Sequence, residues 1–380
     1  MQKFTLNSIK NFYYIYYEMK FSNDLKRKFN TILWITVSWT LISMVQLTYE
    51  VAILKEYGFE YRWSTSNNFM TYFLINTLAF TLNGFVGGII VVYFLQYWIR
   101  NRSYGFGLLY GMIIYVIFFF LMTCLQNYFV IKSIWDGKTS LYSAYIKGLE
   151  DYFFSYEFVR NFPFWLFVLT GTLITMFIND KYGPGELKKF LLGKYFHPKI
   201  EERIFMFLDL KDSTSIAEKL GEHKYFSFIQ KVFKDVTPVL LDTKGEVYQY
   251  VGDEIVITWK IKNGIKDSNC IRCFQNIKNL LKKFGPIYEE QFGVVPEFKA
   301  GLHVGTAIVG EIGVIKRDIA YSGDVLNTAA RIQSKCNEFG ASLLLSEDLL
   351  SYFPEGYLSL KSMGKVELRG KAEALSLYSL

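Results

Sequence analysis

Apolar positions are distributed along this chain in two different ways, and the change falls near residue 180. Before it, apolar stretches cover residues 31–54, 69–99, 104–131 and 162–178. Each reaches or approaches the ~20 residues that cross a ~30 Å hydrocarbon core, so the pattern predicts a membrane domain of four transmembrane helices. The second stretch is long enough to tilt or to project beyond a bilayer. After residue 203 the runs shorten. Ile204–Leu208 predicts a strand, residues 212–240 read as helical, and 246–260 read as two strands joined at Gly252-Asp253, a strong hairpin signal. A helix near 267–284, strands over 297–311 and a helix over 325–338 follow. Strands and helices mixed in this way predict an α+β domain around one central sheet.

Composition sharpens this division. Of 380 residues 51 % are hydrophobic and 18 % aromatic, richer than a soluble average. The net charge of +7 is not gathered in one block. Lys26, Arg27 and Lys28 precede the first apolar stretch, Arg100 and Arg102 separate the second from the third, and Lys181, Lys188 and Lys189 follow the fourth. The positive-inside rule makes these segments cytoplasmic, and the loop over 132–161, with Asp136, Glu150, Asp151 and Glu157, external. The expectation is a multi-pass protein of the cell (inner or plasma) membrane, with the N-terminus and the C-terminal domain in the cytosol. The lipid bilayer is one expected partner and nucleic acid is not, because no aromatic-plus-basic motif accompanies the charge. The first apolar stretch starts only near Thr31 after a basic leader, so no signal peptide is expected.

The expected organisation is an arm over 1–30, a membrane domain over 31–179, a linker over 180–202 and a cytosolic domain over 203–380. In the linker, Gly183-Pro184-Gly185 breaks the fourth helix, and residues 186–196 read as a short amphipathic helix with Leu187, Phe190 and Leu191 on one face. In the second apolar stretch Asn83, Gly84, Gly87 and Gly88 suggest close helix packing. No charge lies deep in an apolar stretch, which argues against a transporter. The cysteines are Cys124, Cys270, Cys273 and Cys336, and the Cys270/Cys273 pair lacks a second such pair, so reduced thiols rather than a zinc site are expected.

Candidate chemistry begins with Asp209, at the end of the strand run, and Asp253, in the hairpin turn. Either alone is as well explained as a cap or a turn residue. Brought together they make a hard, oxygen-rich site for Mg²⁺ or Mn²⁺. A third segment, Gly301–Arg331, reads GLHVGTAIVGEIGVIKRDIAYSGDVLNTAAR. With RIFMFLDLKDSTSIAEKLG from Arg203 and GEVYQYVGDEIVITW from Gly245, in this order, it resembles the catalytic domain of class III nucleotidyl cyclases, from about Lys194 to the C-terminus.

The resemblance implies a ferredoxin-like core, two Mg²⁺ or Mn²⁺ ions per active site and a homodimer, because family enzymes build the site between two catalytic domains. By resemblance Asp209 and Asp253 hold metal, with the Leu210 carbonyl as a further ligand. Lys211, Asp212, Ser213 and Thr214 open a helix whose N–H groups receive phosphate, Asn327 orients the ribose, Arg331 stabilises charge on the α-phosphate, and Lys371 binds phosphate. The base-reading positions are Gln249 and Ala320, which match neither the adenylate nor the guanylate pattern of the family. A glutamine amide satisfies adenine or, flipped, guanine. ATP to cAMP is the favoured reaction and GTP to cGMP the alternative. A catalytically silent nucleotide-binding membrane receptor is the rival from another class, and the presence of Asp209, Asp253, Asn327 and Arg331 weighs against it.

Overall fold

The computed structural model describes residues 6–56, 69–95, 104–135, 137–183, 186–315, 317–354, 360–368 and 374–380. They form two compact units, one of residues 21–189 and one of residues 190–380 together with 1–20.

The first unit is helical. It contains α1 (Leu6–Glu56) from residue 21 onward, α2 (Phe69–Ile90) continued by a π-helical turn Val91–Leu95, α3 (Tyr104–Ile134), α4 (Leu141–Phe153) and α5 (Tyr156–Tyr182). Among the described residues four segments are long and apolar enough to cross a membrane: Leu25–Glu50, Asn76–Tyr93, Gly105–Phe129 and Tyr156–Lys181. The N-terminal arm is not separate from the first apolar stretch, because neither Gly nor Pro interrupts residues 6–56 and the helix runs through. The expected external loop holds α4, and α5 begins earlier than its apolar stretch because Ser155 caps it, accepting from the Phe158 N–H at 3.3 Å. Trp39, Trp165, Leu169 and Leu173 are buried at the centre, with Phe80 stacked on Trp165 at 4.9 Å. A Cβ on Gly84 would lie 3.2 Å from Trp39 and one on Gly88 3.3 Å from Ile32, so these small residues serve helix packing. Glu50, within the first apolar stretch, is buried and pairs with Arg160 at 2.8 Å. The two charges sit at the ends of their spans, where the apolar pattern hides them.

The short helix α6 (Glu186–Leu191) spans the boundary between the units, and the second unit continues with β1 (Lys199–Leu210), α7 (Ser213–Leu220), α8 (Glu222–Asp242), β2 (Glu246–Val251), β3 (Glu254–Lys260), α9 (Ile261–Ile265) and α10 (Asn269–Phe292). There follow β4 (Phe298–Ile312), β5 (Asp318–Ser322), α11 (Asp324–Ser334), β6 (Leu343–Ser346), α12 (Glu347–Leu350), β7 (Lys361–Val366) and β8 (Leu375–Ser379). α6 is shorter than the 186–196 periodicity predicts, and Gly193 just beyond it takes a left-handed φ of +57°.

The sheet order is β2-β3-β1-β4-β6-β8-β7, with β5 paired to β4. β1 is central and antiparallel to β3 and β4. Thus β1–helices–β2–β3–helices–β4 forms the expected ferredoxin-like βαββαβ core. Alternate residues of β1 serve opposite faces. Ile204, Met206, Leu208 and Leu210 join the main core with Ile255, Ile257, Trp259 and the apolar sides of α8 and α10. Phe205 belongs to a smaller cluster with Val256, Ala307, Val325 and Ala329, beneath α11.

Candidate active site

The face of the sheet beneath α11 collects the polar side chains. Asp209 stands opposite Glu254 on β3 and Lys299 on β4. Asp253 precedes Glu254 in the two-residue turn between β2 and β3, where Gly252 alone takes a positive φ, +61°, as a tight hairpin turn with Gly first requires. The strand pairing therefore brings together the two aspartates singled out in the sequence. Their proximity has an electrostatic signature. Asp209 titrates above the usual carboxylate range, chiefly through burial and also through the charge of Asp253, while Lys299 and Gln333 act in the opposite direction. Glu254 is pushed up to about 7 by burial and by both aspartates. Burial, Asp253 and Asp209 likewise raise Tyr225 on α8.

Two side chains missed in the sequence complete this corner. Lys299 Nζ lies 3.3 Å from Asp209 Oδ2, and Gln333 Nε2 donates to the same oxygen at 2.9 Å. Lys299 becomes visible only through the β1–β4 register. Gln333 reaches Asp209 because α11 lies against β4: a Cβ on Gly301 would sit 2.3 Å from the Gln333 nitrogen, so only glycine permits that approach.

Whether the residues suit a divalent cation is decided at Asp253. Its Oδ2 is buried and accepts no hydrogen bond. A desolvated carboxylate oxygen without a donor is costly, and a hard cation is the partner that offsets this cost. Among the described residues no group of three His, Cys, Asp or Glu converges. The aspartate pair fits a divalent ion whose remaining ligands are carbonyl, phosphate and water oxygens.

The other singled-out residues fall into separate groups. Leu210 is buried at the end of β1. Lys211 is engaged with Glu297, Nζ to Oε2 at 3.2 Å and main-chain N–H to carbonyl at 2.8 Å. Asp212 takes a left-handed φ of 54° and its carboxylate makes no cap to the first N–H groups of α7, over Ser213 and Thr214. Gln249 is exposed on β2, and Ala320 lies on β5 opposite Gly310. Their neighbours meet: the Tyr248 and Tyr321 rings are 4.9 Å apart. Lys371 lies outside the described residues. Cys270 and Cys273 are buried in α10, where burial pushes both thiols up to about 12, and the described cysteines are free.

On α11 the sheet-facing side carries Val325, Ala329 and Gln333, whereas Asn327 is exposed. Arg331 follows Asn327 by one turn, so the two share a face. At ~100° per residue Arg331 is turned about 200° from Gln333, the residue that touches Asp209. Arg331 Nη1 is buried without a hydrogen-bond partner. One copy of the chain thus joins the aspartates to one side of α11 and turns Asn327 and Arg331 to the other.

A ferredoxin-like core with an aspartate pair at the end of its central strand, and an Asn/Arg pair on the helix above, describes a nucleotidyl cyclase domain. Residues 197–380 match the family model of the adenylate and guanylate cyclase catalytic domain. Adenylate cyclase 2 of Rhizobium meliloti (strain 1021) is 34 % identical over 204 residues, 53 % of this chain and 56 % of that protein. Adenylate cyclase of Anabaena cylindrica is 27 % identical over 184 residues, 46 % of this chain and 36 % of that protein. The chain thus spans about half the length of the first relative and less of the second. A solved bacterial light-regulated adenylyl cyclase is similar over 57 % of this chain and 63 % of its own, at 20 % identity and a TM-score of 0.49.

Proposed function

We propose that the chain is a membrane-anchored, homodimeric adenylate cyclase that converts ATP to cAMP and pyrophosphate at two equivalent sites, each shared between two copies. The observation that carries this reading is the pair of unsatisfied groups on opposite sides of α11: Asp253 Oδ2, an acceptor without a donor, and Arg331 Nη1, a donor without an acceptor. Asp253 would hold a divalent ion on the triphosphate, and Arg331 of the second copy would meet its phosphate oxygens. The relatives named adenylate cyclase favour ATP, and GTP remains the second reading because Gln249 serves either purine.

Two divalent ions, when bound, lower the pKa of the ribose 3′-hydroxyl and neutralise the departing phosphates. Asp209, Asp253 and the Leu210 carbonyl would hold them. On this reading Lys299 and Gln333 keep the Asp209 carboxylate oriented. Asn327 of one copy fixes the ribose, so that the 3′-oxygen faces the α-phosphorus bound by the other. The Arg331 fork then meets the charge that develops on the α-phosphate as pyrophosphate leaves. The N-terminal turn of α7 receives phosphate oxygens, and Lys371 is proposed to add a positive charge there. Lys211 contributes less on this account, because Glu297 already neutralises it. The four apolar segments anchor the protein in the cell membrane with the cyclase domain in the cytosol, where the nucleoside triphosphate is found.

The test is a product assay on the full chain in detergent with Mn²⁺, offering ATP, GTP, CTP and UTP separately and identifying cyclic products by mass. cAMP as the dominant product is expected. Absence of any cyclic product would overturn the reading, and cGMP alone would replace ATP by GTP.

A further inference from the structure

Arg203 is the one arginine of β1, and it is completely buried on the face of the sheet that carries Phe205 and Asp209. An apolar side chain would pack there at least as well, since a buried ion pair seldom adds net stability over a hydrophobic replacement. What Arg203 adds is a set of connections. Nε donates to Glu201 Oε2 at 2.8 Å, Nη1 donates to Glu246 Oε2 at 3.3 Å, and the guanidinium lies over the Tyr321 ring at 5.0 Å. Glu201 in turn accepts from the Tyr195 hydroxyl at 3.2 Å, and Lys194 Nζ donates to that hydroxyl at 2.8 Å. The segment that enters the domain, strand β2 and strand β5 are thus tied to one buried cation.

β2 carries an irregularity that gives this tie a consequence. Glu246 pairs with Thr258 and Val247 with Ile257, yet Gln249 pairs with Val256, leaving Tyr248 as the extra residue of a bulge. In a regular strand Glu246 and Gln249, three apart, would point to opposite faces. The bulge puts them on the same one. Val256 stands opposite Phe207 and Thr258 opposite Phe205, so the shared face is that of Arg203 and Asp209. Without the bulge Gln249 would pair with Ile255 and point into the main core. The bulge is held on both sides: Glu246 by Arg203, and Tyr248 by Tyr321, whose N–H donates to the Tyr248 hydroxyl at 3.4 Å.

We propose that Arg203 is a positioning residue for base recognition: with Tyr321 it pins the bulged register of β2, which turns Gln249 to the face of the sheet that carries Asp209. This rests on the proposed base-reading role of Gln249. An arginine is needed because a lysine cannot hold Glu201 and Glu246 with a planar fork while stacking on Tyr321.

The experiment uses the full chain in detergent and measures binding of fluorescent mant-ATP and mant-GTP with Mn²⁺, together with kcat and KM for the cyclised nucleotide. Arg203→Met should shift the ratio of the two dissociation constants several-fold toward unity and raise KM more than it lowers kcat, the scale of a lost or misaimed hydrogen bond. Arg203→Lys should not restore the ratio. An equal loss for both nucleotides, or no change in the ratio, would overturn the proposal. If Arg203→Met does not fold, Tyr248→Phe decides: it keeps the ring and removes the hydroxyl, and it must move the ratio in the same direction. Gln249→Ala separates this inference from the reading beneath it. An unchanged ratio in Gln249→Ala sinks the base assignment and the inference with it, whereas a changed ratio there and an unchanged one in Arg203→Met sinks the inference alone.

Discussion

The two faces of the β1–β3–β4 sheet are built from alternate residues of the same strands, and they solve opposite problems. One face, with Ile204, Met206, Leu208, Ile257 and Trp259 against α8 and α10, is a large apolar core. The other, beneath α11, has a small apolar cluster around Phe205 and Val256, with Arg203 before it on β1 and Asp209 after it. The proposed site holds two buried groups without hydrogen-bond partners, Asp253 Oδ2 and Arg331 Nη1. The difference teaches where free energy is stored: apolar burial on one face supplies the stability that lets the other hold desolvated charges without partners.

The sharpest way to break this contrast is to remove the orphaned oxygen. Asp253→Ala should lower kcat by on the order of 10³-fold or more, the equivalent of several kcal/mol of transition-state stabilisation, while the thermal midpoint holds or rises because a costly buried charge is gone. Parent-like turnover would show that Asp253 holds no metal. Arg331→Ala comes next, with a loss of about 10²–10³-fold in kcat. The pair gives a stronger test together. Coexpressed Asp253→Ala and Arg331→Ala chains should recover about a quarter of the parent activity, since each mixed dimer of a two-fold assembly keeps one intact site. No recovery would place both residues in the same copy of the site and remove the case for a shared one.

On the opposite face the readouts should exchange. Ile257→Ala should cost about 2–5 kcal/mol of stability with kcat per folded molecule nearly preserved. A drop in kcat comparable to that of Arg331→Ala would erase the division of labour between the faces.

Much of this was legible in the sequence, and the residues that were not share one cause. The sequence marked Asp253 as a turn residue between two strand-like runs, and the roles of Asp253, Asn327 and Arg331 were implied by the resemblance of three ordered segments to nucleotidyl cyclases. Lys299 and Gln333 carried no local signal. Their relation to Asp209 exists only through the β1–β4 register and the close approach that Gly301 permits. The bulge at Tyr248 was hidden for the same reason, since it is a property of a strand pair. Tertiary packing also overrode local rules. The helix expected near 267–284 continues as α10 through Gly285-Pro286 to Phe292, because Tyr288 is fully buried, donates to Asp235 at 2.9 Å and packs with Phe292 against Phe228.

The smallest predicted effect concerns pH and sharpens the charge side of the comparison. Glu254 titrates near 7 when folded, because of burial and then the charges of Asp209 and Asp253, and Asp209 shifts upward as well. A carboxylate raised above its unfolded value binds more protons in the folded state, so its stabilising contribution is complete below the unfolded value of about 4.3 and is lost as pH rises through the folded one. Without divalent cation, the thermal midpoint of the cyclase domain should therefore fall between about pH 5 and pH 8, and Glu254→Gln should flatten that slope. Mn²⁺ should flatten it too, by supplying positive charge where the aspartates repel Glu254. A midpoint that rises with pH in the metal-free parent would mean that Glu254 is not held between two charged aspartates. Glu254→Gln leaving the slope unchanged would assign the proton uptake to Asp209 instead.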